Sequence, residues 1–86
     1  MYVINFHKNV VKFINSRSSK EKETIKSKFE LLKNNPYPVN EQLDIKKLTN
    51  TTFYRLRINS YRFIYSIEDT ELMIYIEKAG NRGDIY

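Results

Sequence analysis

From Thr52 onward the chain alternates between apolar and polar residues almost without a break, which commits its second half to pleated strands. The stretches 53–58, 61–68 and 71–78 read as three strands, joined by the short turn pairs Asn59-Ser60 and Asp69-Thr70. The C-terminal residues fit a further short strand. The first half obeys a different period. After "MYVINFH", which alternates with Tyr2, Ile4 and Phe6 on one face, Val10, Val11 and Ile14 recur at helical spacing. Ser18 and Glu21 have capping-box form and predict the start of a second helix, with Ile25, Phe29 and Leu32 on its apolar stripe. Pro36 and Pro38 end it. Residues 36–51 read as a connection anchored by Leu43, Ile45 and Leu48. The expectation is one α+β domain over residues 1–86 with the order β-α-α-β-β-β. Its N-terminal helical hairpin packs on one face of a small, mostly antiparallel sheet.

Within the strands one pattern conflicts with folding alone. A two-residue loop at Asn59-Ser60 pairs Ile58 with Tyr61, Arg57 with Arg62, and Leu56 with Phe63. The apolar residues then share one face, and Arg55, Arg57 and Arg62 share the other. Like charges directly opposite one another in a sheet cost up to about 1 kcal/mol. A two-residue loop at Asp69-Thr70 would bring Glu77 beside Arg62, but nothing acidic lies between Lys46 and Arg62 to serve Arg55 and Arg57. With Lys46 and Lys47 these arginines make a basic face, which we read as a ligand-binding surface in preference to a merely solvated one.

The net charge of +5 agrees with an anionic partner, either nucleic acid or an acidic protein. Arginine is used selectively: before Tyr54 every basic residue but Arg17 is lysine, and after it only Lys78 is not arginine. The planar guanidinium fork suits phosphate where a lysine supplies only charge. The sequence has no cysteine and a single histidine, His7, which argues against disulfides and a zinc site. No apolar run reaches the roughly 20 residues of a membrane span, and no signal-peptide pattern opens the chain. A cytoplasmic protein without metal, cofactor or membrane attachment is expected. Near the C-terminus, Gly80 and Gly83 flank Arg82 closely enough to let the backbone turn and deliver its guanidinium to a site. Ordinary turn composition reads the same way, and Tyr86 alone reads as a terminal core residue.

Taken in order, "IKKL", "YRLR", "YRFIY", "GNR" and the final Tyr86 resemble the RelE toxins of bacterial and archaeal toxin–antitoxin systems, within the RelE/ParE superfamily. The likeness covers Leu43 to Tyr86, and the helical half agrees in layout. The resemblance implies a metal-independent, ribosome-dependent endoribonuclease that cuts messenger RNA in the ribosomal A site and so inhibits translation. The substrate's own 2′-OH attacks the adjacent phosphate and a 5′-OH fragment leaves. It also implies a RelB-like, acidic antitoxin partner in a hetero-oligomeric complex. Carried over residue by residue, Arg62 and Arg82 take the transition-state charge, Arg55 and Arg57 with Lys46 and Lys47 hold the RNA, and Tyr86 stacks on a base or moves a proton. Well-studied bacterial members of the family carry lysines where this chain has Arg55 and Arg57, and a lysine there takes the general-base role. A guanidinium with a pKa above about 12 is a poor proton acceptor, so the general base stays open between Tyr86 and His7, and the activity is expected to be weak. Two other readings share the fold: a toxin of the gyrase-poisoning ParE branch, and an RNA-binding remnant that does not cleave.

Overall fold

The structure, a computed structural model, describes residues 1–81. Strand β1 (Val3–Phe6) leads into helices α1 (Lys8–Asn15) and α2 (Ser19–Asn34), and four strands follow: β2 (Asp44–Lys47), β3 (Tyr54–Ile58), β4 (Tyr61–Glu68) and β5 (Met73–Asn81). They form one five-stranded sheet in the order β1-β5-β4-β3-β2. β1 runs parallel to β5, and the other pairings are antiparallel. The α+β class and the helices on one face stand as expected.

The helices begin where side chains satisfy the first free N–H groups. The His7 Nδ1 accepts from the Asn9 backbone N–H at 3.1 Å, so this histidine caps α1. Ser18 and Glu21 form the reciprocal capping box of α2, and the Tyr61 hydroxyl donates to the Glu21 carboxylate at 2.5 Å. That hydrogen bond, followed by the one from the Ser18 backbone, holds the Glu21 carboxyl below the usual range. Both helices turn aromatic rings onto the sheet. Phe63 of β4 meets Phe29 of α2 edge-on at 5.1 Å between centroids and Phe13 of α1 at 6.0 Å. Leu56, Ile58, Tyr65, Ile74 and Ile76 complete the sheet's share of this core.

Three details depart from the sequence expectation. The connection contains an extra strand, β2, which is hard to read because only Ile45 in Asp-Ile-Lys-Lys is apolar. Charged residues on so short a strand suit an exposed sheet edge. The β4–β5 loop spans Asp69 to Leu72 rather than two residues, because Leu72 adopts a left-handed φ of 54° and its N–H bonds the Asp69 carbonyl at 3.3 Å. β5 therefore starts at Met73, not residue 71. A bulge at Glu77 then shifts the register between Ile64 and Tyr65, so Arg62 faces Gly80 and not Glu77. The expected C-terminal strand lies outside the described residues.

The connection before β2 is held by polar groups that hydrophobic periodicity does not reveal. Buried Asn40 donates to the carbonyls of Leu31 at 3.3 Å and Asn35 at 2.8 Å, and its Oδ1 accepts from the Gln42 N–H at 3.2 Å. The Tyr65 hydroxyl donates to the Pro36 carbonyl at 2.6 Å, and burial raises its pKa far above the ordinary tyrosine value. Asp69 joins the elements on the other side. Tyr2 and Tyr37 each donate to it at 2.5 Å, which holds its carboxyl low and their phenols high.

Asp69 binds fewer protons in the folded chain than in the unfolded one, so it stabilises the fold above its ordinary pKa near 3.9. That contribution disappears as pH falls through the lower folded-state value. In Asp69→Asn, the slope of melting temperature against pH between about pH 5 and pH 2 should be shallower than in the wild type. Phe63→Ala should lower the free energy of unfolding by about 3–5 kcal/mol in urea titrations.

Candidate nucleic-acid interface

The basic face is built by three neighbouring strands. Leu56 opposite Phe63 on the core side obliges Arg57 and Arg62 to meet on the outer side, and the observed register has these pairings. Asn59, with φ 55°, makes the tight turn that keeps them together, in a region that asparagine tolerates. On β2, Lys46 lies opposite Arg55 and Asp44 opposite Arg57, on the same outer face. Lys47 belongs to the other face of β2. There its Nζ donates to the Thr51 carbonyl at 2.6 Å and lies 5.9 Å from the Tyr54 ring centroid.

These residues converge on a shallow depression of about 350 Å³, lined by Lys46, Lys47, Leu48, Thr49, Arg55, Arg57 and Arg62. A second hollow of about 300 Å³ adjoins it, lined by Arg57, Asn59, Ser60 and Arg62. Arg57 and Arg62 line both. A more apolar groove of about 290 Å³ runs between the helices and β1, past Ile4, Phe6, Val11, Ile14, Ile25 and Phe29, with Lys22, Lys26 and Lys33 around it. No arginine lines that groove, whereas Arg55, Arg57 and Arg62 all line the sheet-face depression.

The three arginines are not equivalent. Arg55 is buried, its side chain 9% exposed, and its Nη2 donates to Asp44 Oδ1 at 2.6 Å. Arg57, with its side chain 45% exposed, approaches the other carboxylate oxygen at 3.5 Å. Arg62 is half-buried. Beside Arg55 on β4, Ile64 is only 6% exposed although it points away from the core. The apolar stems of Arg55 and Lys78, its register neighbours, are suited to cover it.

Asp44 is thus the acid that the sequence reading lacked for Arg55 and Arg57. It lies two residues before Lys46, just outside the segment in which no acid occurs. Reading Asp-Ile-Lys-Lys as a strand folded back on β3 would have placed it opposite Arg57. His7 caps α1 at the end of β1, the edge strand opposite β2, with β5 and β4 between it and β3. The structure does not bring it to the basic face. Arg82 and Tyr86 lie outside the described residues.

Burial divides the arginines by what their loss should do. Arg55→Ala leaves Asp44 without its close partner and opens space under the sheet, and should cost about 1–3 kcal/mol of stability. Arg57→Ala should change stability by less than about 1 kcal/mol. Parallel urea titrations of the two variants check the contrast.

Comparison with known proteins agrees with this architecture. Residues 6–86 match the family described as the ParE toxin of the type II toxin–antitoxin system parDE. A curated candidate toxin, RelE1 of Methanocaldococcus jannaschii, is 32% identical over 84 residues, covering 96% of this chain and 92% of its own. In the crystal structure of the archaeal RelE–RelB complex from Pyrococcus horikoshii OT3, the matching chain is 31% identical. The match covers 96% of this chain and 97% of that one with a TM-score of 0.82. A chain of the RelB–RelE antitoxin–toxin complex from Methanococcus jannaschii is 27% identical, with coverage of 94% and 93% and a TM-score of 0.72.

Proposed function

The chain belongs to the RelE family of type II toxins, within the superfamily shared with ParE, and from that premise we propose that it is an endoribonuclease cutting messenger RNA on the ribosome. It is a toxin of a RelBE-type module. The observation that carries the nuclease reading is the convergence of Lys46, Lys47, Arg55, Arg57 and Arg62 on one depression. Opposed guanidinium forks at Arg57 and Arg62 suit a bridging phosphodiester, because each can donate two parallel hydrogen bonds to phosphate oxygens.

The reaction needs no group from outside the RNA to form the first bond. The 2′-oxygen attacks phosphorus, the bond to the 5′-oxygen breaks, and a 2′,3′-cyclic phosphate and a 5′-OH end result. One proton leaves the 2′-OH, and another reaches the departing 5′-oxygen. Negative charge accumulates on the equatorial oxygens between these events. Arg62, with Arg82 from the C-terminal segment, is assigned to that charge, and Arg57 to the RNA backbone. Arg55 supports the same backbone contacts from beneath through Asp44, and Lys46 extends them along β2, while Lys47, turned to the other face, adds positive charge at the edge. Tyr86 is assigned to base stacking or proton transfer. Its phenol, with an unperturbed pKa near 10, can act as a base only where cations lower that value. Much of the rate enhancement would come from holding the 2′-OH in line with the leaving oxygen.

The partner is a RelB-like antitoxin, as in the complexes from the two archaea. An excess of cations makes an acidic antitoxin the natural counterpart. The match to the ParE family favours a second reading, in which the target is gyrase and no RNA is cut.

Purified protein added to programmed ribosomes should yield messenger fragments with 5′-OH ends at A-site codons. Arg62→Ala and Arg82→Ala should each slow cleavage by about 10²–10³-fold. Intact messenger with gyrase-dependent DNA breaks would establish the second reading, and cleavage unchanged in both variants would overturn the residue assignment.

A further inference from the structure

Among the described residues Asp44 is an acid paired with Arg55 and Arg57 of the basic face, and its two oxygens are held unequally. Oδ1 accepts from buried Arg55 at 2.6 Å, within the range of a strong charge-assisted bond. Oδ2 stands 3.5 Å from the Nε of exposed Arg57, too far for such a bond. The carboxylate is itself half-exposed, with its side chain at 53%, so it can turn into solvent without breaking its bond to Arg55. Arg55 also keeps a donor in reserve, since its buried Nε has no hydrogen-bond partner among the described residues.

We propose that Asp44 is a resident stand-in for the substrate phosphate: it holds Arg57 in place in the free protein and yields it when a phosphodiester binds. The inference rests on the RNA-cleaving reading above and deepens it. Asp44 is a positioning residue and takes no part in bond making. Oδ1 anchors the carboxylate to Arg55 throughout, while the looser Oδ2 contact is the one exchanged. A phosphate that takes Arg57 meets Arg62 across the strand pair, where the register sets the two arginines opposite one another. Asp44 prevents the repulsion of the basic face from splaying Arg57 away before substrate arrives. It also weakens the binding of anions that make too few contacts to displace it.

The test measures binding, with cleavage kept as a separate readout. A short single-stranded RNA and inorganic phosphate serve as probes. Asp44→Asn keeps the shape and an acceptor for Arg55 but removes the competing charge. It should bind the RNA about three- to tenfold more tightly at low salt. Its plot of log affinity against log salt should steepen by about 0.7, the increment for one more phosphate neutralised on a single strand. Asp44→Ser, a second neutral variant, should shift affinity in the same direction. In an Arg57→Ala background the gain should vanish, because the exchanged partner is absent. Glu68→Gln removes an equal charge from the same sheet face without touching these arginines, and should leave affinity near the wild type. The Arg57 Nε–H resonance should move with phosphate at lower concentration in Asp44→Asn than in the wild type.

Equal or weaker binding by Asp44→Asn overturns the proposal, as does a gain that survives in Arg57→Ala or is matched by Glu68→Gln. An Arg57 resonance indifferent to phosphate in the wild type overturns it too. Phosphate exchange at Arg57 with messenger left intact on ribosomes would sink only the nuclease reading. Cleavage by the wild type with no tightening in Asp44→Asn would sink only this one.

Discussion

Phe63 is fully buried, gripped edge-on by Phe29 from α2 and Phe13 from α1. Everything on the opposite side of the sheet depends on that grip. In a pleated strand, a residue fixed inward fixes its neighbours outward. Arg62 and Ile64 therefore point away from the helices, and the pairing of Leu56 with Phe63 carries the same constraint to Arg55 and Arg57. A slip of one residue would drive guanidinium groups into the aromatic core and expose Leu56 and Phe63. The free energy that holds the core thus also sets the geometry of the charged face. Like charges can be opposed there because the penalty, up to about 1 kcal/mol, is small beside the loss from misplacing a buried phenylalanine.

What could be read from the sequence follows from how each signal is encoded. The β3–β4 hairpin was legible because apolar alternation, a short Asn-Ser turn and a consistent register all pointed to one answer. The capping box of α2 was legible for a similar reason, since Ser18 and Glu21 satisfy each other locally. β2 was not, because one half-buried isoleucine among three charged residues gives too little periodicity. Missing β2 concealed Asp44, and so Arg55 looked like an exposed RNA contact when it is a buried ion-pair partner. Leu72 misled in another way. A leucine after Glu71 looks like a strand position, and nothing in its chemistry announces a left-handed φ of 54°. Asn40, which organises the connection with three hydrogen bonds, has no periodic signature at all.

The resulting face is graded. Arg55 lies beneath, fixed by a close ion pair, while Arg57 is held loosely and reaches solvent. Ile64 lies buried in register with Arg55 and Lys78, so part of the apparently polar face is hydrocarbon. Such a surface is firm at its base and adaptable at its rim, a combination suited to an anion whose exact position varies along a flexible strand. The family relationship and this gradation come from separate observations, one from the whole chain's likeness and the other from local packing.

The bulge at Glu77 has a consequence for how this gene can vary. Before it, Ile74 and Ile76 face the core; after it, the inward phase passes to Ala79, so that Lys78 and Gly80 join the basic face beside Ile64 and Arg62. Losing the single codon for Glu77 would remove only the extra residue: Lys78 could still face Ile64 and Ala79 still face Phe63, now in an unbroken pleat. Substitution at 77 and loss of that residue both leave Lys78 and Gly80 outward, whereas adding a second residue there would shift their phase. Lineages of this toxin should therefore tolerate many side chains at the bulge, and the loss of that one residue more readily than any other change in the length of β5.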